Sequence, residues 1–297
     1  MAQQIPLDTA ALAGHAADHG RTTEIAADLA YRRLLLVNVA FVGKPGAGDR
    51  GWVLIDAGVI GTGPLIVSAA AERFGAGARP AAIILTHGHF DHIGAVKDLA
   101  ERWDAPVYAH RLERPYLDGR AAYPPPDPGV GGGLMSLLSP LYPRGPVDVG
   151  ARLHDLPADG TVPHMLGWRW LHTPGHSAGH TSLWRDEDRA LIVGDAFITT
   201  RQESAYAATA LHQPPELHGP PMYFTPDWDK AKASVRRLAE LEPEIAVTGH
   251  GPAVHGAELR NALRTLARNF DSVAVPRHGR YVGHPAREED GSAYPAP

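Results

Sequence analysis

The 297-residue chain contains no cysteine. That absence excludes a disulfide framework, thiolate-held zinc fingers, iron-sulfur clusters and a thiol nucleophile, so any metal has to be held by nitrogen and oxygen. Basic charge is not in excess either: 28 Lys and Arg stand against 33 Asp and Glu, a formal charge of −5. Such a balance disfavours nucleic acid or an anionic membrane as the main partner. Long apolar runs are also missing. The strongest early one, Leu34 to Val42, is too short to span a bilayer and contains Asn38, and the start Met-Ala-Gln-Gln-Ile-Pro has neither the basic nor the apolar part of a signal peptide. These absences predict a cytoplasmic protein acting on a small-molecule substrate, with no membrane or nucleic-acid partner.

What is present is 44% hydrophobic residues and 17 histidines, against 9 tyrosines and 6 tryptophans. A chain of this length hides about three quarters of its unfolded surface on folding, which excludes global disorder. Apolar runs at Leu34 to Val42 and Trp52 to Ile55, separated by Gly43-Lys44-Pro45-Gly46, predict two paired strands. Ala81 to Leu85 predicts a third, followed by a helix with Ile93, Val96, Leu99, Ala100 and Trp103 on one face. Further strands are predicted at Pro106 to Ala109, Trp168 to His172, Ala190 to Val193 and Ile245 to Val247. Helices follow, one capped by Thr225-Pro226 and one running through Leu259, Leu263, Leu266 and Phe270. Interleaved strands and helices predict α/β layers in a single domain. An N-terminal segment (1–30) precedes the domain (31–270), and a polar tail (271–297) follows it. Between about Leu112 and Thr161 periodicity gives way to Tyr123-Pro-Pro-Pro-Asp-Pro and Gly131-Gly-Gly, predicting an insertion. Its apolar island, Leu134, Met135, Leu137 and Leu138, is expected either to wall the substrate pocket as a lid or to form a homodimer contact.

The chemistry concentrates in Thr86-His87-Gly88-His89-Phe90-Asp91-His92, directly after a predicted strand and before a helix. In an extended stretch alternate side chains share a side, so His87 and His89 reach one point while the turn into the helix sends Asp91 and His92 to an adjacent one. Three more candidate ligands, His176, Asp195 and His250, each follow a strand and a glycine. Ligands in layered sheets bind beyond strand ends, so these loops are expected to converge.

These residues resemble the metallo-β-lactamase-fold hydrolase superfamily, whose HxHxDH loop, downstream His, bridging Asp and final His are matched in order over roughly residues 30 to 255. The resemblance implies a four-layer αββα sandwich with metals at one edge between two sheets. It implies two divalent cations: the first on His87, His89 and His176, the second on Asp91, His92 and His250, with Asp195 bridging. Zinc suits this nitrogen and oxygen set, and iron or manganese is also accepted. Implied too is hydrolysis by a metal-bridging hydroxide, with Asp91 as the catalytic residue that orients it and shuttles its proton.

Asp195, together with the absence of cysteine, disfavours β-lactam hydrolysis. The pattern is similar to the glyoxalase II and lactonase-like branch, acting on a small ester, thioester or lactone. Phosphodiesterase activity is an alternative, as is a mononuclear iron persulfide dioxygenase using His87, His176 and Asp195. Around the ligands, His172 and His180 are read either as groups orienting His176 or as buried histidines satisfying backbone partners. Asp56 is read as a partner of a ligand His or as a turn residue, and Tyr206 and Tyr223 as oxyanion donors or packed aromatics. The other histidines (15, 19, 110, 154, 164, 212, 218, 255, 278 and 284) are expected to be surface or structural.

Overall fold

The computed structural model describes residues 5–12, 21–203 and 216–297. The strands are β1 (Ile5–Pro6), β2 (Thr22–Ala26), β3 (Leu29–Leu34), β4 (Val37–Val42), β5 (Val53–Ile55), β6 (Ala82–Ile84), β7 (Val107–Ala109), β8 (Leu153–Asp155), β9 (Trp168–His172), β10 (Thr181–Arg185), β11 (Ala190–Gly194), β12 (Glu216–Leu217), β13 (Ile245–Thr248) and β14 (Val254–His255). A seven-stranded sheet runs β2-β3-β4-β5-β6-β7-β8, a five-stranded sheet runs β14-β13-β11-β10-β9, and β1 pairs with β12.

Side-chain alternation along the strands builds the layers. In β6 and just beyond it, Ile83 and Leu85 pack outward with Ile66 of α1 (Gly63–Phe74) and with Leu99 and Trp103 of α3 (Val96–Trp103). Ala82 and Ile84 face the other way, onto Leu183, Ile192 and Val247 of the second sheet. That sheet turns Leu191, Val193 and Ala246 outward onto Val235 and Leu238 of α6 (Trp228–Glu240) and Leu259 and Leu263 of α7 (Gly256–Arg268). Helix, sheet, sheet, helix is therefore the order, the αββα sandwich.

Local differences from the sequence reading have physical causes. The run Leu34 to Val42 is broken at Leu35, whose φ of 60° turns β3 back into antiparallel β4. The cap of α6 is Asp227, which accepts from Lys230 N, rather than Thr225. After α7 the chain breaks at Asn269 into a separate α8 (Phe270–Val273), and the predicted helix before Trp103 breaks at Gly94-Ala95, leaving a one-turn α2 (Phe90–Ile93). The larger sheet begins at Thr22, before residue 31. The insertion is not structureless: it holds α4 (Arg114–Leu117) and α5 (Leu134–Leu138), and β8 joins the large sheet parallel to β7. The tail packs back on the insertion, with Tyr116 Oη donating to Ala293 O and Ala122 N to Pro295 O. Among the described residues no helix is long and apolar enough to cross a membrane.

Candidate metal centre

Strands β9 and β11 both run antiparallel to β10, and β13 is parallel to β11, so all three end at one edge of the smaller sheet. His176, Asp195 and His250 follow those three ends. The loop after β6 brings His87 and His89 to the same edge from the other sheet, and α2 presents Asp91 and His92. All seven side chains are buried.

Three groups of ligand atoms lie within 4.8 Å of one another: His87 with His89 and His176, His87 with His92 and Asp195, and Asp91 with His92 and His250. Asp195 touches residues of both predicted sets, its Oδ2 lying 3.1 Å from His250 Nε2 and 3.4 Å from His176 Nε2. Its Oδ1 is 3.6 Å from His92 Nε2, too long for a hydrogen bond. Asp91 Oδ2 lies 3.5 Å from His250 Nε2.

Hydrogen bonds fix which ring nitrogen of each histidine faces the centre. His92 Nδ1 donates to Asp56 Oδ2 at 2.8 Å and His250 Nδ1 to Leu36 O at 2.6 Å. Thr86 Oγ1 spends its proton on Asp56 and Thr225 Oγ1 on Pro221 O, so each accepts, from His87 Nδ1 and His176 Nδ1 respectively. Nε2 is thereby left toward the centre in all four rings, while His89 presents Nδ1, 2.9 Å from His176 Nε2. Of the buried side-chain atoms of the seven candidate ligands, His87 Nε2, His92 Nε2 and Asp195 Oδ1 have no hydrogen-bond partner. Polar atoms are seldom buried without one, and this inward-facing donor set fits cations of the kind that imidazole and carboxylate hold.

Electrostatics divides the histidines. Burial holds His87 and His176 well below the usual imidazole range and His89 at about 3, so these three are neutral and ready to ligate. Burial also opposes charge on His92 and His250, but Asp195 outweighs it, aided by Asp56 at His92 and by Asp91 at His250, and both are raised. Protons therefore compete with a cation for His92 and His250 more than for the other group. Acidification from pH 8 to pH 6 is expected to weaken cobalt binding beside His92 and His250 more than binding beside His87, His89 and His176. Cobalt titrations of metal-free protein at both pH values check this; parallel weakening of both equivalents would contradict it.

Of the remaining sequence-predicted residues, Asp56 contacts a candidate ligand, His92, and also accepts from Thr86 N. His180 does not orient His176: its Nε2 accepts from Asp195 N at 2.8 Å, holding the loop of that carboxylate. His172 donates to Ala178 O and stacks on His110 at 4.3 Å. Tyr223 is buried, with its pKa raised well above the phenol range by burial and then by Asp91 and Glu203. Tyr206, His15, His19 and His212 lie outside the described residues. Leu137 and Leu138 are 66% and 38% exposed. The insertion reaches the centre through tyrosines instead: Tyr123 lies 4.2 Å from the His89 ring, and Tyr142 lies 5.5 Å from Phe90. Sequence reasoning missed Thr225, Leu36 O and Glu113, whose roles depend on contacts between distant segments.

The sequence pattern described as "Metallo-beta-lactamase superfamily" matches residues 32–250. The chain belongs to this superfamily. It is a metal-dependent hydrolase of the metallo-beta-lactamase superfamily, with candidate His and Asp metal-binding groups. Superfamily relatives include the probable metallo-hydrolase YflN of Bacillus subtilis, 47% identical over 86% of this chain and 91% of that protein. The probable metallo-hydrolase YybB of the same organism is 30% identical over 59% of this chain and 66% of that one. A beta-lactamase domain protein from Burkholderia ambifaria shares the superfamily fold, with a TM-score of 0.61 at 18% identity over 90% of this chain and 77% of that chain.

Proposed function

We propose that the protein is a dinuclear hydrolase of small esters, thioesters or lactones. The observation that carries this reading is Asp195, a single buried carboxylate in reach of His176 on one side and of His92 and His250 on the other. His87, His89 and His176 would hold one cation, Asp91, His92 and His250 the other, and Asp195 would contact both. Two divalent cations so held supply acidified water at neutral pH and polarisation of the carbonyl under attack. Asp91 then moves the proton. A positioned carboxylate beside that water can take its proton and return it to the leaving oxygen or sulfur.

Substrate class follows from the walls. Phe90 stands between His89 and Asp91 in the chain, 5.5 Å from Tyr142 and 6.2 Å from Phe224, and Phe224 stacks on His89 at 4.9 Å. The groups acting most strongly on Asp91 and Asp195 are histidines and carboxylates. This aromatic wall favours an uncharged acyl or ring portion over a phosphodiester.

A panel of lactones, thioesters, aryl esters and phosphodiesters, together with a glutathione persulfide under oxygen monitoring, tests the assignment. Esters, thioesters or lactones are expected to turn over fastest. Oxygen uptake on persulfide by a one-iron protein would overturn the reading. With the preferred substrate, Tyr142→Ala is expected to raise KM about three- to tenfold, the worth of one aromatic contact, with kcat little changed. A fall in kcat at constant KM would contradict a role in substrate binding.

A further inference from the structure

Glu113 is fully buried, and its carboxylate joins the two loops that carry the His87, His89 and His176 group. Oε2 accepts from Gly88 N at 2.9 Å, between His87 and His89, and from the hydroxyl of Tyr123. Oε1 accepts from Ser177 Oγ at 2.8 Å and Gly179 N at 2.7 Å, just beyond His176. All four partners are donors, which suits an acceptor-only carboxylate and no neutral side chain of the same shape.

The neighbouring residues are cut to this clamp. A Cβ on Gly88 would lie 2.7 Å from Tyr123 Oη, and one on Gly179 would lie 2.7 Å from Glu113 N. Tyr123 in turn is wedged between Tyr116, at 3.7 Å, and His89, at 4.2 Å. Glu113 makes no ion pair with Lys or Arg among the described residues. A buried carboxylate bonded to backbone amides of two ligand loops therefore acts on the distance between those loops.

We propose that Glu113 is a positioning residue: by tying the His87–His89 loop to the His176 loop, it sets how tightly the first of the two metals is held. The inference rests on the dinuclear reading above. Removing a group that orients metal ligands typically costs about 10- to 100-fold in metal affinity. Glu113→Gln turns an amide NH2 against a backbone N–H, of Gly88 or of Gly179, whichever way it is oriented, while Tyr123→Phe and Ser177→Ala each remove one donor and leave the carboxylate in place.

The test is competition of metal-free, full-length protein with a chelating indicator for zinc and cobalt, with visible cobalt spectra and melting temperatures recorded alongside. For Glu113→Gln the expected result is a first equivalent weakened by about 10- to 100-fold, a second within about threefold of the parent, and an altered cobalt spectrum. Tyr123→Phe and Ser177→Ala should show smaller shifts in the same equivalent and serve as the readout if Glu113→Gln does not fold. Unchanged affinities, or equal weakening of both equivalents in step with a lowered melting temperature, would overturn the inference while the parent's two equivalents keep the dinuclear reading. A parent that takes up no metal would overturn both.

Discussion

Asp195→Ala is expected to lose most of its bound metal and to lower turnover by about three orders of magnitude or more, since without a cation beside it water loses the acidity that makes it a nucleophile at neutral pH. Among the described residues Asp195 alone lies within 4 Å of three candidate ligand histidines, His92, His176 and His250; Asp56 and Asp91 each approach one. On the dinuclear reading, deleting it would leave Asp91 as the sole remaining carboxylate of the candidate ligand set to offset the charge of the cations. The loop itself should persist, because it is held by backbone: Asp195 N donates to His180 Nε2, and Gly249 N donates to Gly194 O. His110→Ala is the matched comparison, as that imidazole stacks on His172 away from the centre. Equal metal content and activity in the two variants would reduce Asp195 to a strand-end residue.

Gly249→Ala comes next in size, for a steric reason. A Cβ at Gly249 would lie 2.1 Å from Asp195 Oδ1 and 2.7 Å from His92 Cε1. The backbone there has no freedom to back away: Gly249 N donates to Gly194 O at 2.8 Å, and its carbonyl accepts from Asn38 N at 2.7 Å. The added methyl therefore displaces the Asp195 carboxylate and the His92 imidazole together, and a misplacement of about 1 Å is worth about a hundredfold in rate. Metal content and kcat/KM should both fall, whereas Gly63→Ala, whose Cβ meets nothing closer than 3.4 Å, should leave both intact. Full metal content in Gly249→Ala would show that the centre can spread, which the geometry forbids.

The sequence carried the candidate ligands because they are written locally: an apolar strand, a glycine, then a His or Asp, four times over. Asp56 was half legible, as a carboxylate at a strand end whose partner, His92, comes from the next strand's loop. The orienting groups were not legible where they are backbone atoms or come from remote segments. Leu36 O is held to His250 by the register of β4 against the loop after β13, which Asn38 fixes through its bonds to Thr248 O and Gly251 O. Thr225 looked like a helix cap because Pro226 follows it, yet the helix starts two residues later and the hydroxyl serves His176. For His180 the sequence left two readings open, orienting His176 or satisfying backbone partners, and the fold takes the second, through Asp195 N across the sheet. In the insertion the leucines drew notice by their hydropathy, but Tyr123 and Tyr142 are the residues that approach the candidate ligand loop.

The most direct test of the central claim is metal stoichiometry: elemental analysis of the full-length protein, purified without chelator and then titrated with zinc. Two tightly held equivalents per chain are predicted, falling below one in Asp195→Ala. A plateau at one equivalent that Asp195→Ala leaves unchanged would contradict a two-metal centre bridged by that carboxylate.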